Sequence, residues 1–409
     1  MMEENEIKRS PRRQSPAKKN KKLQGIYLTG LLFGMVLVLM LLHVLAKDRA
    51  YSEVENRNLA AKPDFFVETV ADGSYFVDLS DYLADHFPGR DRWIALQRWY
   101  HRTLGNKASD DVYLCEDGYL IQRPGEPNEE QLERNLNAIN EFASAYPDVN
   151  MVAAVIPNSV TIHGDKLPSN APVRDQLEDL RNIRQGIQKI SFVDVTQKLL
   201  SHKDEVLFYR TDHHWTSLAA AYAFEEIAPV LEIQAPSISQ YDRYTVSTTF
   251  EGTLASKAGS YGGMDTVEIF QPKTDILYYV KCGDGEEVCT MYYKEALDAK
   301  DHYAVFFGGN YDRVDITTTA ETGKKLLVFK DSYANCFIQF LYPYYEQIIM
   351  VDPRYYYDTI QTIMNTEGIT DVLYLYNLDT FQADTSLADV LTITQSAQDL
   401  SEEVPAQET

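Results

Sequence analysis

The sequence predicts an α/β fold, a mostly parallel sheet with helices on both faces, and two observations carry that prediction. Four short, continuously apolar runs have the length and composition of strands buried on both faces: MVAAVIP (151–157), KLLVF (325–329), QIIMV (347–351) and VLYLY (372–376). Segments with helical periodicity separate them, and strands alternating with helices build parallel sheets.

The elements follow in order. Residues 1–22 hold eight Lys/Arg against three Glu and read as a basic cytoplasmic tail. Residues 23–47 read as a transmembrane helix, because Ile26 to Ala46 is an almost unbroken apolar run. About 20 such residues cross a bilayer, and the basic flank is expected to stay inside. The expectation is a single-pass membrane protein with its C-terminal domain extracellular; the alternative is a signal peptide cleaved after Ala46. Residues 48–110 form an irregular lead-in with helical pieces. A single α/β domain is expected over 111–388, opening with a hairpin at 112–122. Asn128 caps a helix to about Ala145, with apolar residues at Leu132, Leu136, Ile139 and Phe142. Residues 177–190 supply a helix and FVDV (192–195) a strand. Thr216 caps a helix over 217–231. Residues 240–320, rich in Thr, Tyr and Gly, read as a β-rich insertion. Helices are expected after Ser332 and near 357–365, and 389–409 reads as an acidic, disordered tail.

Net charge is −23; residues 1–22 contribute +5, so 23–409 carry −28. Such a surface repels nucleic acid and anionic lipid, and favours neutral or cationic partners or a cell-wall matrix. Four cysteines make no disulfide scaffold at this length. Cys282 and Cys289 are placed to bridge across a hairpin, whereas Cys115 and Cys336 read as buried free thiols. The tyrosine clusters YPYY (342–345) and RYYY (354–357) suit core and rim packing first, and sugar stacking second.

Ligands of such sheets bind at the carboxyl ends of the strands. Ser332 follows KLLVF, Asn158 follows MVAAVIP, and TDHHWT (211–216) precedes a helix start. A serine becomes a nucleophile when a base takes its proton and a third group orients that base. Asp212 and His214, two apart in an extended segment, would face one pocket and supply both roles. Gly308, Gly309 and Asn310 could add oxyanion donors. Arg354 either holds Asp352 or binds an anionic sugar substituent. His213 is expected opposite His214, and Trp215 as a packed anchor. Each feature has a plainer reading: Ser332 as a helix cap, Gly308–Gly309 as a turn. Asp212 with both histidines could instead ligate a metal, but no HExxH or CxxC accompanies them, so no metal and no cofactor is expected.

TDHHWT, FFGGNYD, VFKDSYANCF and VDPRYYY, with ENRNLAAKP and HFPGRDRW, resemble the DHHW family of Gram-positive surface proteins. That family is similar to the AlgX/AlgJ branch of SGNH-hydrolase-like proteins, which O-acetylate exopolysaccharides such as alginate. The resemblance spans roughly 50–385 and implies an SGNH-hydrolase-like (flavodoxin-like) domain. It also implies that Asp212 and His214 precede the nucleophile Ser332, reversing the usual SGNH chain order. Lys330 departs from the glycine of the family's G-[DT]-S setting. The expected function is an O-acetyltransferase or acetylesterase acting on a cell-surface polysaccharide, with a multi-pass membrane acyltransferase as acetyl donor. Two rivals stand beside it: a non-catalytic polysaccharide binding or assembly protein, and a metal-dependent hydrolase.

Overall fold

The computed structural model describes residues 16–52, 54–234, 238–283 and 287–392. The basic tail before residue 16 and the acidic tail after residue 392 lie outside the described residues. The chain divides into two compact units, Met1–Gln97 and Arg98–Thr409.

The first unit begins with helix α1 (Pro16–Leu45). Its segment Leu23–Leu45 has mean hydropathy 2.5 and none of it is buried. By length and composition this helix is compatible with a single membrane crossing, since 23 residues extend about 35 Å and a hydrocarbon core is about 30 Å thick. Two short helices, Val67–Asp72 and Ser74–Asp85, follow. Asp85 accepts from the Arg57 guanidinium and from the Ala60 N–H at 2.9 Å. The Arg57 hydrogen bond pulls its carboxyl down to about 2.

The second unit is built on the expected sheet. A small antiparallel sheet of Ala108–Ser109, Val112–Leu114 and Leu120–Gln122 forms over the expected hairpin, and the strands after it are β1 (Asn150–Ile156), β2 (Ser191–Phe192), β3 (Tyr241–Phe250), β4 (Asp265–Pro272), β5 (Tyr278–Cys282), β6 (Glu287–Cys289), β7 (Arg313–Thr318), β8 (Lys325–Lys330), β9 (Gln347–Val351) and β10 (Asp371–Asn377). The main sheet runs β6-β5-β7-β9-β8-β10-β1-β2. Pairing from β9 through β8, β10 and β1 to β2 is parallel. Strands β7, β5 and β6 extend it antiparallel. Counted from β8, the parallel part has the flavodoxin order 2-1-3-4-5, which the chain enters at its fourth strand.

Alternation along the strands makes two cores. Val152, Ala154 and Ile156 join one cluster; Met151, Ala153 and Val155 join the other. Leu326 and Val328 against Leu327 and Phe329 repeat the division. Helices α2 (Glu129–Ala145), α3 (Gln176–Gly186) and α6 (Ile360–Thr366) bury their apolar stripes against the second face. On the first face lie α4 (Ser217–Ile227) and α5 (Tyr333–Leu341). Every residue of α5 is buried, as expected of a helix apolar on most sides and enclosed by sheet and ribbon. The caps fall where expected, with Asn128 Oδ1 accepting from Gln131 N–H and Thr216 Oγ1 from Ala219 N–H.

Three expectations need correction. The region 240–320 is not one insertion: β3 and β4 form a separate ribbon, while β5, β6 and β7 continue the main sheet. The FVDV strand stops at Phe192, because Asp194 accepts from Thr196 N–H and turns the chain into the helix Thr196–Ser201. The α/β domain runs past 388. Helix Leu387–Leu391 is packed by Leu387, Ala388 and Leu391, with Asn135 accepting from Ala388 N–H, so residues 389–392 are not tail. The tyrosine clusters follow the core-and-rim reading: Tyr342, Tyr345 and Tyr356 are core, and Tyr357 is 93% exposed. The Cys282–Cys289 disulfide joins β5 to β6, and Cys115 and Cys336 are buried free thiols.

Candidate active site

The carboxyl ends of β8, β10 and β1 meet where the strand order reverses, and the candidate residues assemble there. Strand β8 ends at Lys330; Asp331 and Ser332 then lead into α5. Ser332 holds the Ncap position at the positive end of the helix dipole, its carbonyl accepting from the Asn335 N–H at 3.2 Å. Asp331 sits beneath it, fully buried, accepting from Tyr333 N–H (2.8 Å) and Asn377 N–H (2.9 Å) and from the Asn377 side chain. Burial pushes the Asp331 carboxyl up to about 6, although those N–H donors oppose it.

The DHHW segment arrives from the other side. His214 Nε2 lies 2.8 Å from Ser332 Oγ, and His214 Nδ1 lies 2.6 Å from Asp212 Oδ1. Asp212 does not reach His214 by strand alternation, because residues 210–214 form bends rather than a strand. Instead Asp212 Oδ1 accepts from the backbone N–H of His214 at 2.9 Å, an Asx-type turn that brings the two side chains together. The same bend overturns the expectation for His213. Its ring lies beside His214, centroids 3.9 Å apart, and its Nδ1 is hydrogen-bonded with Thr253 Oγ1.

Neighbouring groups hold this arrangement from several directions. Asp212 Oδ2 accepts from the Thr253 N–H (2.7 Å) and Thr253 Oγ1 (2.9 Å). Asp265, at the start of β4, accepts from the N–H groups of Arg210 and Thr211 and from Thr211 Oγ1. Tyr303 stacks on the His214 ring at 3.7 Å and donates to the Ser332 carbonyl at 2.8 Å. Trp215 is fully buried as an anchor, its Nε1–H donating to the Tyr333 carbonyl, while Tyr333 donates back to the His213 carbonyl. Helix α5 and the DHHW segment are thereby fastened together by both side chains and backbone.

The electrostatics keep Asp212 ionised between the two imidazoles. Burial would raise the Asp212 carboxyl, but both imidazoles, the His214 hydrogen bond and the Thr253 N–H outweigh it and hold it well below the usual carboxylate range. Burial, with repulsion from His214, pushes His213 down to about 4. Asp212, His213 and His214 offer a group of three atoms within 4.8 Å that could hold a metal ion. Yet both His214 nitrogens are already engaged, one by Asp212 and one by Ser332, so metal ligation would have to break that relay.

The remaining candidates divide. Asn158 lines a cleft of about 370 Å³ with His213, Thr253, Lys257, Asn377 and Asp379. Gly308 is not a free oxyanion donor, because its N–H is spent on the Ala304 carbonyl at 2.9 Å. Gly309 and Asn310 accept from Asn335 Nδ2, and Asn310 Oδ1 also accepts from Lys330 Nζ at 3.2 Å. Arg354 forks onto the fully buried Asp352 at 2.6 and 2.8 Å, the structural role of its two alternatives. Lys330 does not obstruct the pocket. Its ammonium turns inward to Asn335 (2.9 Å) and Asp352 (3.8 Å), tying the 309–310 loop to α5, and burial pushes it down to about 8.

Sequence reasoning missed Thr253, Tyr303 and Asn377, and also Gly252, whose N–H donates to Thr211 Oγ1 at 3.0 Å and whose Cα lies hard against the Asp212 side chain. Asn377 was within reach, since it ends a strand as Asn158 does. The others are distant in sequence and carry no local signal.

Residues 114–275 match the family described as SGNH hydrolase-like domain, acetyltransferase AlgX. That segment contains Asp212, His214 and Thr253 and ends before Ser332. A DHHW family protein from Eubacterium siraeum superposes with TM-score 0.59 at 23% identity, over 69% of this chain and 97% of that one. Bacillus cereus PatB1, solved with a sulfonyl adduct, superposes with TM-score 0.58 at 19% identity, over 68% and 98%. No curated protein matches by sequence. By fold and by family model, the unit from Arg98 onward carries an SGNH hydrolase-like α/β domain whose residues 114–275 are similar to acetyltransferase AlgX.

Proposed function

We propose that this protein is an extracytoplasmic O-acetyltransferase or acetylesterase acting on a cell-surface polysaccharide. The observation that supports it most is the unbroken Asp212–His214–Ser332 relay, with contacts of 2.6 and 2.8 Å. Ser332 Oγ attacks the carbonyl carbon of an acetyl ester while His214 Nε2 takes its proton; Asp212 holds the imidazole and stabilises the imidazolium. The Ser332 N–H and the Asn158 amide serve the developing oxyanion from the α5 end and the cleft wall. Collapse expels the donor's alkoxide, protonated by His214, and leaves acetyl on Ser332. A glycan hydroxyl, entering by the cleft, gives its proton to His214 and takes the acetyl, and His214 returns that proton to the departing Ser332 Oγ; water in its place makes the reaction hydrolysis.

The single apolar helix would anchor the chain with its basic end inside. The acetyl donor would then be presented by a multi-pass membrane acyltransferase. Labelling with a fluorophosphonate, read by intact mass, tests the site. Wild type should gain one adduct, and Ser332→Ala and His214→Ala, both folded, should gain none. A folded wild type that never labels would count against an activated serine.

A further inference from the structure

Unit Met1–Gln97 displays apolar side chains on its surface. Phe65 is 69% exposed, Phe66 57%, Val67 72%, Phe76 58% and Val77 62%. Phe65 and Phe76 are joined through Tyr75, edge-on to Phe65 at 5.5 Å and to Phe76 at 5.6 Å, and Phe66, Val67 and Val77 adjoin them along the chain. Contiguous exposed aromatic surface of this kind marks a contact with something apolar.

The same unit states where that cluster sits. Tyr82, on helix Ser74–Asp85, donates to Asp48 at 2.7 Å and lies edge-on to His43, inside the apolar helix, at 5.9 Å. His86 Nε2 reaches the Arg49 carbonyl at 3.1 Å, and Arg49 pairs with Asp91 at 2.8 Å. These contacts fasten helix Ser74–Asp85 beside the end of Leu23–Leu45. If that segment spans the bilayer, Tyr82 stands at the level of the headgroups. Phe76 lies six residues from Tyr82, at most about 9 Å along the helix, comparable with the roughly 5–8 Å depth of one headgroup layer.

We propose that Phe65–Val67 and Phe76–Val77 insert into the outer interfacial layer of the membrane that Leu23–Leu45 crosses. The first unit is then a second, interfacial anchor rather than a solvated stalk. Aromatic residues at this depth are favoured because apolar rings and polar neighbours match the interface. The lipid should be zwitterionic or neutral: residues 48–97 hold ten Asp/Glu against five Lys/Arg, so anionic headgroups would repel the unit. The inference rests on reading Leu23–Leu45 as a span and is independent of the serine chemistry.

The test uses the full chain in phosphatidylcholine nanodiscs, with nitroxide labels on Phe76→Cys, Phe66→Cys, Asp78→Cys or Leu28→Cys. Cys115 and Cys336 are buried and Cys282 and Cys289 are bonded to each other, so only the added thiol reacts. Asp78 is exposed and about 200° around the helix from Phe76, and serves as the aqueous control. The ratio of collisions with oxygen to collisions with a water-soluble nickel chelate should be several-fold higher at Phe76 and Phe66 than at Asp78, approaching that at Leu28. Phe76 and Phe66 reading as aqueous as Asp78, with Leu28 in lipid, would overturn the interfacial anchor alone. Leu28 reading as aqueous would remove the span and the anchor together.

Discussion

Asp212→Asn separates the serine mechanism from its rivals, because the structure states what an amide at this position must lose. The Asp212 carboxylate is surrounded by donors: the His214 imidazole and His214 N–H on Oδ1, the Thr253 N–H and hydroxyl on Oδ2. An asparagine brings one oxygen and an NH₂ group. With its oxygen toward His214, the NH₂ meets the Thr253 N–H, and one buried donor is left unpaired at a cost of about 1–3 kcal/mol. With its oxygen toward Thr253, the NH₂ faces His214 Nδ1 and selects the tautomer whose Nε2 carries a proton, so His214 can no longer accept the Ser332 proton. Loss of the orienting carboxylate in Ser-His-Asp enzymes lowers turnover by on the order of 10⁴.

Hydrolysis of a chromogenic acetyl ester should therefore fall about 10³–10⁴-fold in a variant that remains folded. Denaturant midpoints give the second readout. The native Asp212 carboxyl is held below its unfolded value, so its contribution to stability is present above the usual carboxylate range and is lost as pH falls through and below about 4. The stability gap between wild type and Asp212→Asn should thus be widest near neutral pH and narrow in acid. An unchanged rate in folded Asp212→Asn would refute the relay. Loss of wild-type activity to a chelator, with Ser332→Ala still active, would transfer the DHH segment to metal chemistry.

Three further outcomes follow from neighbouring residues. A Cβ at Gly252 would fall on the Asp212 side chain, so Gly252→Ala should cost about 1–3 kcal/mol by overpacking and, by displacing the carboxylate, on the order of 10²-fold in ester hydrolysis; wild-type turnover would show that the loop yields freely. Lys330 is held at about 8 when folded, so between about pH 8 and 10.5 the unfolded chain binds a proton that the native protein has released. Wild-type stability should therefore rise with pH across that window relative to Lys330→Met, and parallel denaturant midpoints would contradict it. The Cys282–Cys289 bridge closes a short loop, with a sequence separation of 7, and its removal in the Cys282→Ser, Cys289→Ser double variant should cost about 2–3 kcal/mol without altering the labelling of Ser332; loss of labelling in a folded double variant would contradict this.

The parallel core was legible because strands buried on both faces need uninterrupted apolar runs, and few other elements produce them. KLLVF and QIIMV became β8 and β9 with bounds within a residue of expectation. The antiparallel extension was not legible. YYVKC and RVDITT, the strands β5 and β7, mix polar with apolar residues as half-exposed strands do. The site shows the same division. Ser332 and the DHHW segment could be found from strand ends, but Thr253 and Tyr303 are defined by what they touch, and nothing local marks them. His213 stands beside His214 rather than opposite it because an Asx turn bends this segment and strand alternation does not govern it.

The reversed order of base and nucleophile also acquires a physical account. Counted from β8, the sheet has flavodoxin order, Ser332 follows its first strand, and the Asp212–His214 segment follows its fifth, β2. Strand β1 and strand β2 merely come earlier in the chain than the three strands beside them. Hydrogen bonding and packing depend on which strands are neighbours, not on where the chain is cut, so the same crevice forms at the switch between β8 and β10. Chain order therefore tells nothing about whether this triad can work. The contacts of His214 with Asp212 and Ser332 do, and those are what Asp212→Asn interrogates.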